Sequence, residues 1–477
     1  MTKPIVRLYL LVMVLIGILV FATSWWTVFG AKGLRDNPRN RRELLEQAKI
    51  KRGEIKAADG TVLARSVKAP GDTYRRTYPT GGLFSHAIGY SYTNIGRCCL
   101  EQFRNDALTG QRPELTSLID QLTGKRRDGD DVTTSLDPKA QQVAIDALGG
   151  QKGAVVAFEP GTGKVRVMVS VPGFDPNTVS NPADFARLNR DNENAPLFNR
   201  VTQSGYPPGS TMKVVTALAA IDSGKFTPGS VLSGKNGIVI SGVPLNNFGG
   251  QEFGDVDLTT ALTNSINTVW AQVGEKLGKA TMAKYMTRLG FYSKPPLDYP
   301  PPQKRASGPY NARGDLLSPL SPRIDVGRMA IGQDKLLVTP LQMAMVAATV
   351  ANGGVLVRPH MTTKIVDADG RVVDDVPTDE ITRVVSTSTA AKVNQMMRNV
   401  VREGSGTAAA LAGIEVAGKT GTAEINIPQD ITQPWFIGFA PASDPKIAIA
   451  VTVERTQGGT GGTVAAPIAR QVMEALL

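Results

Sequence analysis

Histidine and cysteine are almost missing from this chain, with two of each in 477 residues. That excludes a Cys/His zinc site and a disulfide framework, both of which need more ligands or better-spaced cysteines than an adjacent Cys98-Cys99 pair supplies. A histidine-based triad has few candidates, and neither His86 nor His360 sits in a motif that would orient it, so both read as structural. Catalysis would have to rest on Ser, Lys, Asp or Glu. Internal repeats, helix-turn-helix patterns and aromatic-interleaved basic stretches are also lacking. The net charge of +11, from 53 Lys and Arg against 42 Asp and Glu, therefore reads as a solvated basic surface rather than a nucleic-acid footprint.

What is present is a chain of ordinary globular composition, 42% hydrophobic and 20% charged, long enough for two or three domains. It opens on an uncharged run over residues 8–29, LYLLVMVLIGILVFATSWWTVF. As a helix this run covers about 33 Å at 1.5 Å per residue, enough to span a bilayer. Trp25 and Trp26 stand where interfacial aromatics collect, and no small-residue cleavage site follows, so a retained single-pass anchor is expected behind a short tail, residues 1–7. Lys3 and Arg7 favour an inside N-terminus, while Lys32, Arg35, Arg39, Arg41 and Arg42 load the other flank. Charge counting alone does not fix the orientation.

Residues 32–148 read as a small, partly extended module with Gly-rich and basic stretches, in which Asp128, Asp130 and Asp131 suggest a solvated loop. Residues 149–477 read as one α+β domain. A strand hairpin, GAVVAF and VRVMV about the turn EPGTGK, opens it. Two further strands lie late, at residues 435–439 and 447–453, and a terminal helix follows from residue 465. Helical segments such as residues 340–351 fill the middle, so the C-terminus completes the sheet. In the hairpin turn, Val165 stands where a phosphate-binding loop would need Ser or Thr, which rejects that reading of Gly163-Lys164. SKPPLDYPPP, residues 293–302, is too rich in proline for a helix and forms a loop.

Three short patterns carry the chemistry. In YPPGSTMK, a helix starting at Ser210 places Lys213 one turn on, with Cβ atoms about 5–6 Å apart. The apolar VVTALAAI that follows would bury the lysine and disfavour its ammonium, leaving a neutral amine able to take the serine proton. In TNSIN, a polar break between helical runs offers Ser265 as a proton relay and Asn267 as a donor to a substrate carbonyl. In VAGKTGTAE, Gly418 and Gly421 weaken a strand unless another backbone comes close, and a peptide laid beside the strand would supply one. Lys419, Thr420 and Thr422 offer a charge and two hydroxyls to a carboxylate.

Ser-x-x-Lys, Ser-x-Asn and Lys-Thr-Gly in this order make up the signature set of penicillin-binding proteins and serine β-lactamases. With the box RGEI…DGTVLA at residues 52–64 and the later GQ, TPLQMA, ANGG and WFxG segments, the chain resembles the class B penicillin-binding proteins. Its short single pedestal is most similar to the actinobacterial penicillin-binding protein A group. The resemblance implies a transpeptidase fold with an antiparallel sheet flanked by helices, an all-helical part, a β-rich pedestal and one transmembrane helix. It implies a D,D-transpeptidase that crosslinks peptidoglycan stem peptides through a Ser210 acyl-enzyme, is a target of β-lactams, and acts in wall synthesis and division. Ser210, Lys213, Ser265, Asn267 and Lys419 would be catalytic, and Thr420, Gly421 and Thr422 would bind substrate. The oxyanion hole would be the backbone N–H groups of Ser210 and Thr422. No cofactor or metal is implied. A single-pass membrane location with the large domain outside, and a lipid II polymerase of the SEDS type with division or elongation proteins as partners, would follow. Arg97-Cys98-Cys99 departs from the small residues usual there, as free thiols or a vicinal disulfide. A D,D-carboxypeptidase using water as acceptor, or a mainly scaffolding role, stands as the alternative; a β-lactamase would have little use for an anchor and pedestal.

Overall fold

The computed structural model describes residues 2–27, 47–110 and 128–477. The basic residues of the outer flank, the KRR stretch at 125–127 and the last two residues of the apolar run lie outside these. The first helix, Thr2–Trp25, takes in Lys3 and Arg7 where a separate tail was expected, and its apolar side chains are exposed along its length. A helix of this composition, on which none of the described residues packs, is suited to lipid.

The pedestal is built on a six-stranded sheet in the order Val372–Asp375, Thr362–Val366, Asp131–Thr134, Ile55–Lys56, Val62–Ala69, Thr73–Thr77. Two of the six strands come from far along the chain, so the break expected at 148/149 does not separate this sheet from the rest. The helix Pro138–Leu148, expected in the pedestal, packs instead on the strand Val165–Val171 and the terminal helix Ala466–Leu476. Of the expected solvated loop, Asp128 is exposed outside any regular element, but Asp130 is buried and Asp131 is not in a loop. Asp131 lies in a strand, accepts from the Glu54 amide at 2.7 Å and pairs with Lys56 at 2.8 Å, because Lys56 sits on the neighbouring strand and Glu54 leads directly into it. Beneath the sheet Glu101, fully buried, is gripped by Arg52 at 2.8 Å and Arg76 at 2.6 Å.

The second sheet runs Ala417–Asn426, Ile431–Ala440, Ile447–Val453, Gly153–Phe158, Val165–Val171, all antiparallel. Both faces are covered. Val155 and Ala157 pack with Pro138–Leu148 and Ala466–Leu476, while Ala154, Val156 and Phe158 face the core that contains Met212–Asp222 and Pro340–Ala351. Burial on both faces explains why these strands read as unbroken apolar runs.

Proline-rich residues 293–302 form the expected loop and end in a single turn at Pro301–Gln303. The loop is a strap between modules. Asp298 accepts from the amides of Met361 and Thr362 at 2.7 and 2.8 Å, and the Tyr299 hydroxyl donates to the His86 carbonyl at 2.6 Å. His86 itself is buried, and burial drives its imidazole down to about 4, so it stays neutral as a structural group. Cys98 and Cys99 are free thiols.

Candidate active site

The sequence YPPGS brings the serine onto a tight turn. Gly209–Thr211 forms one turn of 3-10 helix and the α-helix begins after it, at Met212, two residues later than the expected start at Ser210. Gly209 has φ +52° and Gly332 φ +82°, and the Gly209 amide donates to the Gly332 carbonyl at 3.1 Å. A Cβ on Gly332 would stand 1.9 Å from the Gly209 oxygen, so glycine is required there. The Trp435 indole donates to the Pro207 carbonyl at 2.9 Å and fixes the turn from the sheet side.

Behind this turn the helix Met212–Asp222 is buried through Ile221, and Lys213 is fully enclosed. Its Nζ lies 2.9 Å from Ser210 Oγ, 3.2 Å from Ser265 Oγ, 2.7 Å from the Ser265 carbonyl and 2.7 Å from Asn267 Oδ1. Burial first, and then the nearby Lys419 charge, push the Lys213 amine well below its ordinary range. Lys419 Nζ lies 2.9 Å from the same Ser265 Oγ, and burial brings it to about 7. Ser265 therefore bridges two lysines, each biased toward its neutral form.

Ser265 holds φ +59° in the break between the helices Leu258–Thr263 and Asn267–Leu277. A left-handed serine is uncommon, and this one turns its hydroxyl between the lysines. Asn267, expected to donate to substrate, uses Oδ1 to hold Lys213, and its Nδ2 contacts the Asn246 carbonyl at 3.4 Å.

The strand Ala417–Asn426 forms the other wall. Its alternation turns Thr420, Thr422 and Glu424 into a cavity of about 210 Å³, together with Ser210, Ser265 and Asn267. Gly421, expected at the substrate, faces away. Its absent side chain makes room for the Pro208 carbonyl, 2.7 Å from a Cβ, and Gly418 makes room for the Phe436 ring at 2.3 Å. The close approach inferred from these glycines is made by the protein itself, not by a substrate backbone. Sequence reading missed Ser405, whose hydroxyl lies 2.5 Å from Thr420 Oγ1 in the same cavity. It follows a helix end in the segment EGSGT and carries no motif, so only the fold brings it in. None of residues 293–302 lines the cavity.

Comparison with known families matches residues 153–474 to the penicillin binding protein transpeptidase domain, and residues 52–132 to the penicillin binding protein A dimerisation domain. The chain belongs to the class B penicillin-binding proteins. Along its full length it is 35% identical to the peptidoglycan D,D-transpeptidase PbpA of Mycolicibacterium smegmatis, over 99% of that protein, and 36% identical to PbpA of Mycobacterium tuberculosis, also over 99%. Among solved structures, the ceftriaxone acyl-enzyme of penicillin-binding protein A from M. tuberculosis superposes with a TM-score of 0.80 at 33% identity, covering 91% of this chain and all of that one. The penicillin-binding α+β fold is thus the one the three motifs implied.

Proposed function

We propose that this penicillin-binding protein is a peptidoglycan D,D-transpeptidase acting through a Ser210 acyl-enzyme. The observation that carries the reading is the unbroken polar chain Ser210, Lys213, Ser265, Lys419 at 2.9, 3.2 and 2.9 Å, opening on a cavity walled by the strand face that carries Thr420 and Thr422. Neutral Lys213 takes the Ser210 proton as Oγ attacks the carbonyl carbon of the penultimate D-Ala. Asn267 holds the lysine in place. The backbone N–H groups of Ser210 and Thr422 receive the developing oxyanion. As the C–N bond breaks, Ser265 with Lys419 passes a proton to the departing D-Ala amine, while Thr420, joined by Ser405, grips the terminal carboxylate. An amine from a second stem then takes the place of the leaving group, attacks the ester carbonyl and frees Ser210. A β-lactam enters the same sequence and stops at the acyl-enzyme.

The substrate lies outside the cytoplasmic membrane, so the helix Thr2–Trp25 anchors a catalytic domain on the outer side. The pedestal and anchor then stand beside a lipid II polymerase of the SEDS type, with division or elongation proteins around them. Intact-mass measurement after adding benzylpenicillin should give a stable adduct mapping to Ser210; no adduct, or one elsewhere, rejects the site. Protease on intact spheroplasts should cut the large domain, and protection until lysis would reverse the orientation.

A further inference from the structure

The cavity wall is uncharged with one exception. Of all the residues lining it, only Glu424 is ionisable, since the two catalytic lysines lie buried beneath the surface. Its side chain is exposed, and among the described residues its carboxylate has no ion-pair or hydrogen-bond partner. A lone anion on the substrate face of a neutral cleft is complementary to a cation.

The strand fixes where that cation would belong. Thr420, Thr422 and Glu424 share one face, so Glu424 stands about 14 Å from Thr420 along the strand. On the proposed reaction the donor carboxylate is held at Thr420 and the attacked carbonyl lies near Thr422. The donor therefore runs antiparallel to the strand; two extended residues carry its backbone about 7 Å from the Thr420 end, and the long side chain of the residue before the penultimate D-Ala extends the rest of the way toward Glu424. The acceptor amine replaces the leaving group and enters at the opposite, Thr420 end. Crosslinking requires stems to carry a side-chain amine, and a donor stem, being chemically the same as an acceptor, carries it upstream of the D-Ala pair. Phe248 and Phe253 line the same cavity and offer apolar surface to the alkyl stem of such a side chain.

We propose that Glu424 is a specificity-determining residue that binds the ammonium of the donor stem's diamino side chain. This rests on the transpeptidase reading. The test uses the full chain and two penicillins with the same aminoalkyl acyl group, one with the amine free and one with it N-acetylated. Acylation rates are read by competition with a fluorescent penicillin. In the unaltered protein the free-amine form should acylate about fivefold faster, the size of one partly exposed ion pair. E424Q should bring the ratio close to one, and E424K should invert it. Equal ratios in the unaltered protein and E424Q overturn the proposal. Failure of every penicillin to acylate Ser210 would instead defeat the transpeptidase reading beneath it.

Discussion

At the scale of single residues the site is a pair of lysines kept short of protons by burial. An unfolded Lys419 titrates near 10.5 and the folded one near 7, so between these values the unfolded chain binds more protons and stability rises with pH. K419M removes that dependence. Its melting temperature should exceed that of the unaltered protein most at pH 7 and below, with the gap closing toward pH 10, while penicillin acylation is lost; parallel curves would refute this. Acylation by Ser210 should likewise slow on acidification, as Lys213 gains the proton that disqualifies it as a base. Ser265 offers a second check, since its φ of +59° strains any side chain. S265A and S265G both lose the relay, yet S265G should be the more stable by about 1 kcal/mol in denaturant titration.

At the scale of elements, the nucleophile's turn is clamped between the Gly332 turn and the Lys-Thr-Gly strand. G332A drives a Cβ against backbone that cannot yield. It should cost about 1–3 kcal/mol and slow penicillin acylation at least tenfold, measured by thermal melts and stopped-flow labelling. The three motifs were legible in the sequence because proton transfer restricts spacing on a helix and residue types on a strand. Burial of Lys213 could be read from VVTALAAI alone. Ser405, Gln333 and the Trp435 clamp on Pro207 were not readable as site parts, because each reaches the cavity or its turn from a distant segment through the fold. Gly421 misled for a physical reason. A strand glycine reports that something approaches, without saying whether it is substrate or the protein's own backbone.

At the scale of the molecule, pedestal and catalytic core are joined by buried hydrogen bonds such as that from Tyr299 to the His86 carbonyl, and the pedestal itself is built on a buried ion cluster. Burial alone would raise the Glu101 carboxyl, but Arg76 and Arg52 hold it below the usual carboxylate range. Its contribution to stability therefore persists above the ordinary carboxylate value and is lost only as pH falls through the lower, folded one. E101Q leaves both guanidinium groups without their counter-ion and should cost about 3–5 kcal/mol in chemical denaturation, with E101D recovering part of it. The sequence reads as anchor, pedestal and catalytic region in a row, but strand partnership between segments 230 residues apart leaves no local trace, so the sharing of the pedestal sheet was invisible. That sharing has a consequence in time. A chain synthesised N-terminus first presents Asp131–Thr134 as an open edge, whose neighbour Thr362–Val366 follows only after the nucleophile's helix has been made. The pedestal cannot finish before the enzyme nearly has, and until then that edge has to be shielded from other chains.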